Sequence, residues 1–289
     1  MDWMDRERNI WVVGGDLRQR ALARLLREDG HTVHIAALEG EGLAPEPLGP
    51  GLALAHCVIL PLPVTQREEI LHTPLSEEEV TLSQVLDYME AGQILCGGLV
   101  SPAVRAAGEQ RGLRVFDYYA REECMVANAV PTAEGAVQIA MEQLPITIHG
   151  ARVLVVGFGR VGRALAQRLA ALGAKVTVAA RRYESLAWAQ ASGYGAEQTG
   201  QLAGWLCGYD LIVNTVPAQV LGRLELEDVK EDCLILDLAS KPGGVDLRAA
   251  GELGLTVIWA LSLPGKVAPV TAGAAIKSTI YNMLQEAGY

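Results

Sequence analysis

Residues 151–173 read ARVLVVGFGRVGRALAQRLAALG. Val153 to Val156 form an unbroken apolar run, the pattern of a parallel strand covered on both faces. The run leads straight into Gly157-Phe158-Gly159-Arg160-Val161-Gly162, a GxGxxG turn, and then into residues with helical periodicity. In that setting each glycine has a task. The first allows the tight turn, the second lets a pyrophosphate approach the backbone, and the third lets the helix pack closely on the strand. The helix N-terminus then faces the phosphates. Strand, turn and helix together predict a dinucleotide-binding domain, with residues 157–162 as cofactor contacts.

The next strand, KVTVAA, ends in Ala180-Arg181-Arg182. A protein that binds NAD carries Asp or Glu about 20 residues past the glycines, to hold the ribose 2′-hydroxyl. Arg181 lies 24 positions after Gly157, and no carboxylate competes there. Guanidinium groups suit a 2′-phosphate, so Arg181 and Arg182 predict NADP; two solvated surface arginines are the plainer alternative.

Further strands follow in LIVNTV, CLILDLA and LTVIWA. Ligands of such domains lie at the carboxyl ends of strands, so the loops 214–217 (NTVP) and 237–244 (DLASKPGG) are expected at the site. Asn214 and Thr215 are placed at ribose or nicotinamide, with Val216 and Pro217 completing that wall. Lys241 and Lys266 are two of only five lysines, and each reads equally as a solvated loop cation or a ligand partner. Asp237 is expected to cap its own loop. Lys277, on the closing helix, is expected to tolerate substitution.

The first half alternates in the same way: NIWVV, TVHIAA, CVILPL, QILCGG and RVFDYY as strands, with helices between. Ser76-x-x-Glu79 predicts a capped helix. Its opening turn, VVGGDLRQR, lacks a third glycine and sets Asp16 where phosphates would arrive, so Asp16 is expected to be an N-cap. The fold expected is α/β, with two Rossmann-like domains of parallel sheets joined by connector helices. The domains are placed at 1–130 and 146–266, with a connector helix over 131–145 starting at Pro131. A C-terminal helix, 267–289, should pack back toward the first domain.

The net charge of −10 is uneven: residues 1–145 carry 22 acids, 11 arginines and no lysine. Such a field disfavours nucleic acid and anionic membranes as partners. Charges interrupt every long apolar run, which excludes a membrane span. The first residues, MDWMDRERN, have no apolar signal core, so a cytoplasmic location is expected. The five cysteines are scattered without CxxC pairs, which argues against a zinc site and for reduced thiols. The five histidines stand apart from any motif. His149, just before the dinucleotide turn, reads as a hinge residue.

The combination of PTAEGA, TIHG, DLASKPGG and APVTAG, in this order around the GxGxxG turn, resembles the family of dipicolinate synthase A subunits. The likeness runs from VVGGDLRQ to the closing helix. It implies an NADP-dependent oxidation of dihydrodipicolinate, or of its hydrated (4-hydroxy) tetrahydro precursor, to the dipicolinate of bacterial endospores. It further implies a small dicarboxylate substrate, the flavoprotein-like B subunit of dipicolinate synthase for a partner, and work in the mother cell during sporulation; a homo-oligomer is the expected assembly. Lys241, Lys266 or Arg121 would then pair with substrate carboxylates. Thr132, in the first turn of a helix starting at Pro131, would present backbone N–H groups to one of them. Lys241 and Glu134 are the catalytic candidates; Glu134 reads either as a dipole partner or as a proton acceptor. Two other readings stand beside this one: a 2-hydroxyacid- or shikimate-type dehydrogenase, and a nucleotide-sensing regulatory protein without turnover.

Overall fold

The structure is a computed structural model, and it describes residues 6–40 and 44–289. The chain divides into two compact units. One runs to Asn128 and regains the chain at Pro264–Tyr289; the other is Ala129–Leu263. Each is built on its own parallel sheet.

In the first unit, β1 (Asn9–Val13) leads to α1 (Leu17–Glu28) and β2 (Thr32–Ala36), followed by β3 (Cys57–Ile59). A small antiparallel hairpin, β4 (Thr65–Arg67) and β5 (Ile70–Leu71), precedes α2 (Leu82–Leu86). Then come β6 (Ile94–Gly97), α3 (Pro102–Gln110) and β7 (Arg114–Asp117). The sheet order is β2-β1-β3-β6-β7, every pairing parallel. Successive side chains of β1 feed opposite cores. Ile10 and Val12 pack with Leu22 and Ile35, whereas Trp11 and Val13 pack with Val58 and Leu95.

The helix expected from Ser76 is shorter and starts later. Thr81 is the N-cap of α2, with Gln84 completing the box, while Ser76 accepts from the Glu78 N–H and donates to Glu39.

The helix α4 (Glu122–Gln143) links the units. It does not start at Pro131. Pro131 lies inside the helix, where its missing N–H leaves the Ala127 carbonyl without its helical donor. Glu122 and Glu123 occupy the true first turn, at the end where acidic side chains oppose the helix dipole.

The second unit continues with β8 (Arg152–Val156), α5 (Arg160–Ala171), β9 (Lys175–Ala180), α6 (Tyr183–Ala191) and β10 (Gly195–Gln198). It goes on through β11 (Leu211–Asn214), α7 (Arg223–Leu226), β12 (Leu234–Asp237), α8 (Leu247–Glu252) and β13 (Thr256–Trp259). Its sheet order is β10-β9-β8-β11-β12-β13, again all parallel. Counted along the chain, this is the 3-2-1-4-5-6 order of a dinucleotide fold, whose crevice opens between its first and fourth strands. Those strands are β8 and β11. Val153 and Val155 pack with α5 and with Ala133, Ala136 and Ala140 of α4; Leu154 and Val156 pack with Ile212, Ile235 and Leu206 on the other face. Both faces of β8 are thus covered, which explains its unbroken apolar sequence.

α9 (Leu263–Val267) and α10 (Pro269–Glu286) bring the chain back to the first unit. α10 lies on α1, and Gly273 makes the approach close: a Cβ there would stand 2.8 Å from the Arg18 carbonyl oxygen. Lys277 is not a neutral surface cation. It holds Asp29 at 2.6 Å, and Tyr281 donates to the same carboxylate oxygen at 2.8 Å.

Candidate functional site

At the end of β8 the Gly157 N–H donates to the Ala179 carbonyl at 2.8 Å, and the chain turns with φ of +97°. Only glycine adopts that backbone freely. Gly159 is the N-cap of α5 and brings no capping side chain. A Cβ at Gly159 would meet nothing within 4 Å, whereas one at Gly162 would collide with the Gly157 carbonyl. The second glycine therefore borders open space, and the third is fixed by close packing of turn on helix. That is the division of labour a pyrophosphate site needs.

The space it borders is a groove of about 1010 Å³. The turn from Gly157 through Val161 forms one side, with Phe158 held edge-on to Tyr194 and Arg160 among the lining residues. The end of β9 forms another, through Ala180, Arg181, Arg182 and Ser185. Arg181 and Arg182 are exposed, and their side chains make no ion pair or hydrogen bond within the described residues. The remaining wall follows β11: Thr215, Val216 and Pro217, then Ala218, Gln219, Val220, Gly222 and Glu225, with Thr199 and Gly200 opposite. Glu225 is the only carboxylate among the described lining residues, and it accepts from the Gly222 N–H at 3.0 Å.

The loop residues divide in role. Thr215 lines the groove and donates its hydroxyl to the Val156 carbonyl at 2.9 Å, beneath the turn. Asn214 is not a lining residue. It is fully buried, and its amide is spent on the Val216 backbone and on Asp237. Asp237 is the loop cap expected of it. One carboxylate oxygen accepts from Asn214 and the Ala239 N–H, the other from the N–H groups of Gly244 and Val245. This clamp anchors the segment carrying Lys241, whose own side chain is exposed and outside the groove lining. Lys266 is exposed on α9, within the first unit.

Three expected site residues are placed otherwise. Arg121 is committed to Glu286 through two hydrogen bonds of 2.6 and 2.8 Å, and to Glu123 at 2.8 Å. These partners raise its pKa above an already high value. Glu134 is exposed on α4 and paired with Arg168 at 3.1 Å, beside Val137, Met141 and Leu172 and apart from the dinucleotide groove. Thr132 sits in the helix interior, so its backbone N–H is not at a helix start. For Thr132 and Glu134 the cause is the nine-residue error in where α4 begins.

Among the described residues the first unit has no equivalent phosphate turn. Asp16 caps α1, and Arg18 grips its carboxylate at 2.8–3.1 Å while also donating to the Leu62 carbonyl. Burial pushes the Asp16 carboxyl up, yet the Arg18 guanidinium outweighs it and holds the group below its usual value. A carboxylate already fills the place a phosphate would take. Sequence spacing could not reveal the partners of His31, because Tyr281 lies 250 residues away and meets it at 2.9 Å. Among the described residues no group of His, Cys, Asp and Glu is arranged to hold a metal ion, and no helix is long and apolar enough to cross a membrane.

Two parallel sheets, one ending in a complete dinucleotide turn, define a two-unit protein with an NAD(P)-binding domain of the dehydrogenase kind. Residues 126–239 match the family model described as "D-isomer specific 2-hydroxyacid dehydrogenase, NAD binding domain", and residues 9–119 match the model for the N-terminal domain of the dipicolinate synthase A subunit. The A subunit of dipicolinate synthase from Bacillus subtilis (strain 168) is 32% identical over 291 residues, covering 96% of each protein. The crystal structure of the Bacillus halodurans A subunit of dipicolinate synthase superposes with a TM-score of 0.86 at 28% identity, over 96% of this chain and 97% of that one. That of the Bacillus subtilis protein gives 0.84 at 31% identity, over 97% of each. The chain belongs to the family of dipicolinate synthase A subunits.

Proposed function

We propose that this chain oxidises dihydrodipicolinate, or its hydrated tetrahydro precursor, to dipicolinate with NADP⁺ as the hydride acceptor. The relationship to the Bacillus subtilis protein over 96% of both chains carries the choice of reaction. Arg181 and Arg182, whose side chains make no ion pair within the described residues at the end of β9, support NADP over NAD.

The groove fits the cofactor in several respects. The open space at Gly159 admits the pyrophosphate, and the uncapped start of α5 offers it free N–H donors. Pro217 and Val216 supply an apolar wall. NADP⁺ bound there would supply the hydride acceptor. The chain's own part is to orient it and hold the substrate.

Loss of a hydride and a proton, preceded by loss of water where the hydrated precursor is the substrate, turns the ring into an aromatic pyridine, so the stability of the product drives the step. A strongly basic side chain is not demanded, and Glu134, paired with Arg168 away from the groove, is set aside as the proton acceptor. Of the cations expected to bind substrate carboxylates, Arg121 is spent on Glu286 and Glu123. Lys241 and Lys266 remain, and Lys241 is favoured because Asp237 fixes its loop at the carboxyl end of β12. In this reading the substrate is a small dicarboxylate, and the B subunit of dipicolinate synthase is the working partner.

The purified chain should form dipicolinate, read by its ultraviolet absorbance, when given NADP⁺ and freshly generated precursor. The assay is run with and without the B subunit. Absence of dipicolinate in both, with NADP⁺ shown to be bound, would refute the reading and leave a nucleotide-binding protein without turnover.

A further inference from the structure

Leaving aside the β4–β5 hairpin, the sheet of the first unit has the order 2-1-3-4-5 along the chain. Sheets of this order bind ligands outside the carboxyl ends of their first and third strands, where the winding reverses. Here those strands are β1 and β3. Arg18 lies between them, almost fully buried, with Nε–H and both N–H groups of Nη2 committed to Asp16 and to the Leu62 carbonyl just past β3. That leaves the N–H groups of Nη1, which have no partner within the described residues and are not sealed from solvent.

His72 is fixed beside the same turn. Its carbonyl accepts from the Gly15 N–H at 2.8 Å, and its own N–H donates to the Val64 carbonyl at 3.1 Å. A Cβ at Gly14 would stand 2.9 Å from Cγ2 of Thr73, so the segment carrying His72 is pressed against the end of β1. The imidazole Nδ1 is buried without a hydrogen-bond partner, and Nε2 has none either within the described residues. Buried polar atoms are normally paired. Burial lowers the pKa of His72; of the charged groups that act on it, Asp16 opposes the shift and Arg18 adds to it. A guanidinium with spare donors and an imidazole with none of its bonds made share one end of the sheet.

We propose that the ends of β1 and β3 form a ligand site of the first unit's own, where His72 and Nη1 of Arg18 bind one carboxylate of a small dicarboxylic acid. The imidazole takes up a proton from solvent as the anion arrives, and the resulting imidazolium pairs with it. Asp16 holds Arg18 in place and leaves Nη1 to the ligand. The choice of acid rests on the dipicolinate reading above.

The probe is dipicolinate, titrated calorimetrically into the full chain at pH 7.5 in HEPES and in Tris, whose different ionisation heats reveal proton uptake. The wild type should bind it with uptake of a proton. His72→Gln should weaken binding about tenfold, the loss of one charge-assisted hydrogen bond, abolish the uptake and spare NADPH affinity. In the wild type, dipicolinate should also slow carbethoxylation of His72 by diethyl pyrocarbonate, mapped by peptide mass, and leave the exposed His56 and His149 unaffected; this arm holds even if His72→Gln fails to fold. No dipicolinate binding, binding without proton uptake, unchanged affinity in His72→Gln, or no protection of His72 would each overturn the site. If dipicolinate is nonetheless formed in the assay above, the reading of the reaction survives that failure. Binding that depends on His72 without any turnover would do the reverse, leaving a carboxylate site and removing the reaction.

Discussion

Asn214 donates a 2.8 Å hydrogen bond from its side-chain amide to Asp237, tying the ends of β11 and β12 together inside the second unit. The bond is fully buried, and Asp237 spends its remaining acceptor capacity on three backbone N–H groups of its own loop. Two loops that border the carboxyl end of the sheet are thereby held by one carboxylate.

Asp237→Asn should therefore act on stability first. The amide would turn a donor toward donors and leave buried N–H groups unpaired, a loss of about 3 kcal/mol. Urea denaturation measures it. A change under about 0.5 kcal/mol, typical of surface substitutions, would show that the clamp is not structural.

The glycines of the turn should separate binding from folding. Gly159→Val places its side chain in open space, so the fold should survive while dinucleotide binding is lost. Gly162→Val drives a side chain into the Gly157 carbonyl and should destabilise the unit itself. Circular dichroism with NADPH titration distinguishes the two. Unchanged binding in Gly159→Val would remove residues 157–162 from the site.

Legibility in the sequence followed the strictness of the local physics. The strand 153–156, the glycine turn and Arg181 obey constraints of backbone and spacing that few sequences satisfy by chance, so fold and groove were readable there. The edge strand β10, Gly-Ala-Glu-Gln, is half-polar and has no periodicity to announce it. α4 was misplaced because Pro131 resembles a helix start, whereas the signal lay in Glu122 and Glu123. Glu134, Thr132 and Arg121 drew their expected roles from that start or from charge alone. Arg168, the partner of Glu134, and Glu286, which binds Arg121, are distant from them in sequence.

Recognition of the dicarboxylate should depend on Lys241 and not on Arg121. Lys241→Gln is expected to raise KM about tenfold, as for a carboxylate left without its charged partner, and to spare NADP affinity. Arg121→Gln should leave KM unchanged, because that guanidinium already serves Glu286 and Glu123. Lys277→Gln is a poor control, since it frees the Asp29 carboxylate at the α1–α10 contact. An unchanged KM in Lys241→Gln would turn attention to Lys266.

Acidification should loosen the first unit through its histidines. Burial lowers the pKa of His31, with Arg8 and Lys277 adding to that effect and Asp29 opposing it; burial likewise lowers that of His72. A depressed folded pKa means the unfolded chain binds protons more readily. Stability is then fully present above the ordinary histidine value of about 6.5 and declines as pH falls through it. Asp16 and Asp29 are also depressed, but their contribution is lost only near and below the ordinary carboxyl value of 3.8. Chemical denaturation between about pH 7.5 and pH 5.5 should show the decline. His31→Gln should flatten it, and an equal slope in that variant would assign the effect elsewhere.

NADP binding in the groove that ends at Arg181 is checked by titrating wild type and Arg181→Asp with NADPH and with NADH, by nicotinamide fluorescence. The wild type should bind NADPH roughly ten- to a hundredfold more tightly than NADH, and Arg181→Asp should erase or invert the difference. Equal affinities in the wild type, or a preference for NADPH that persists in Arg181→Asp, would contradict it.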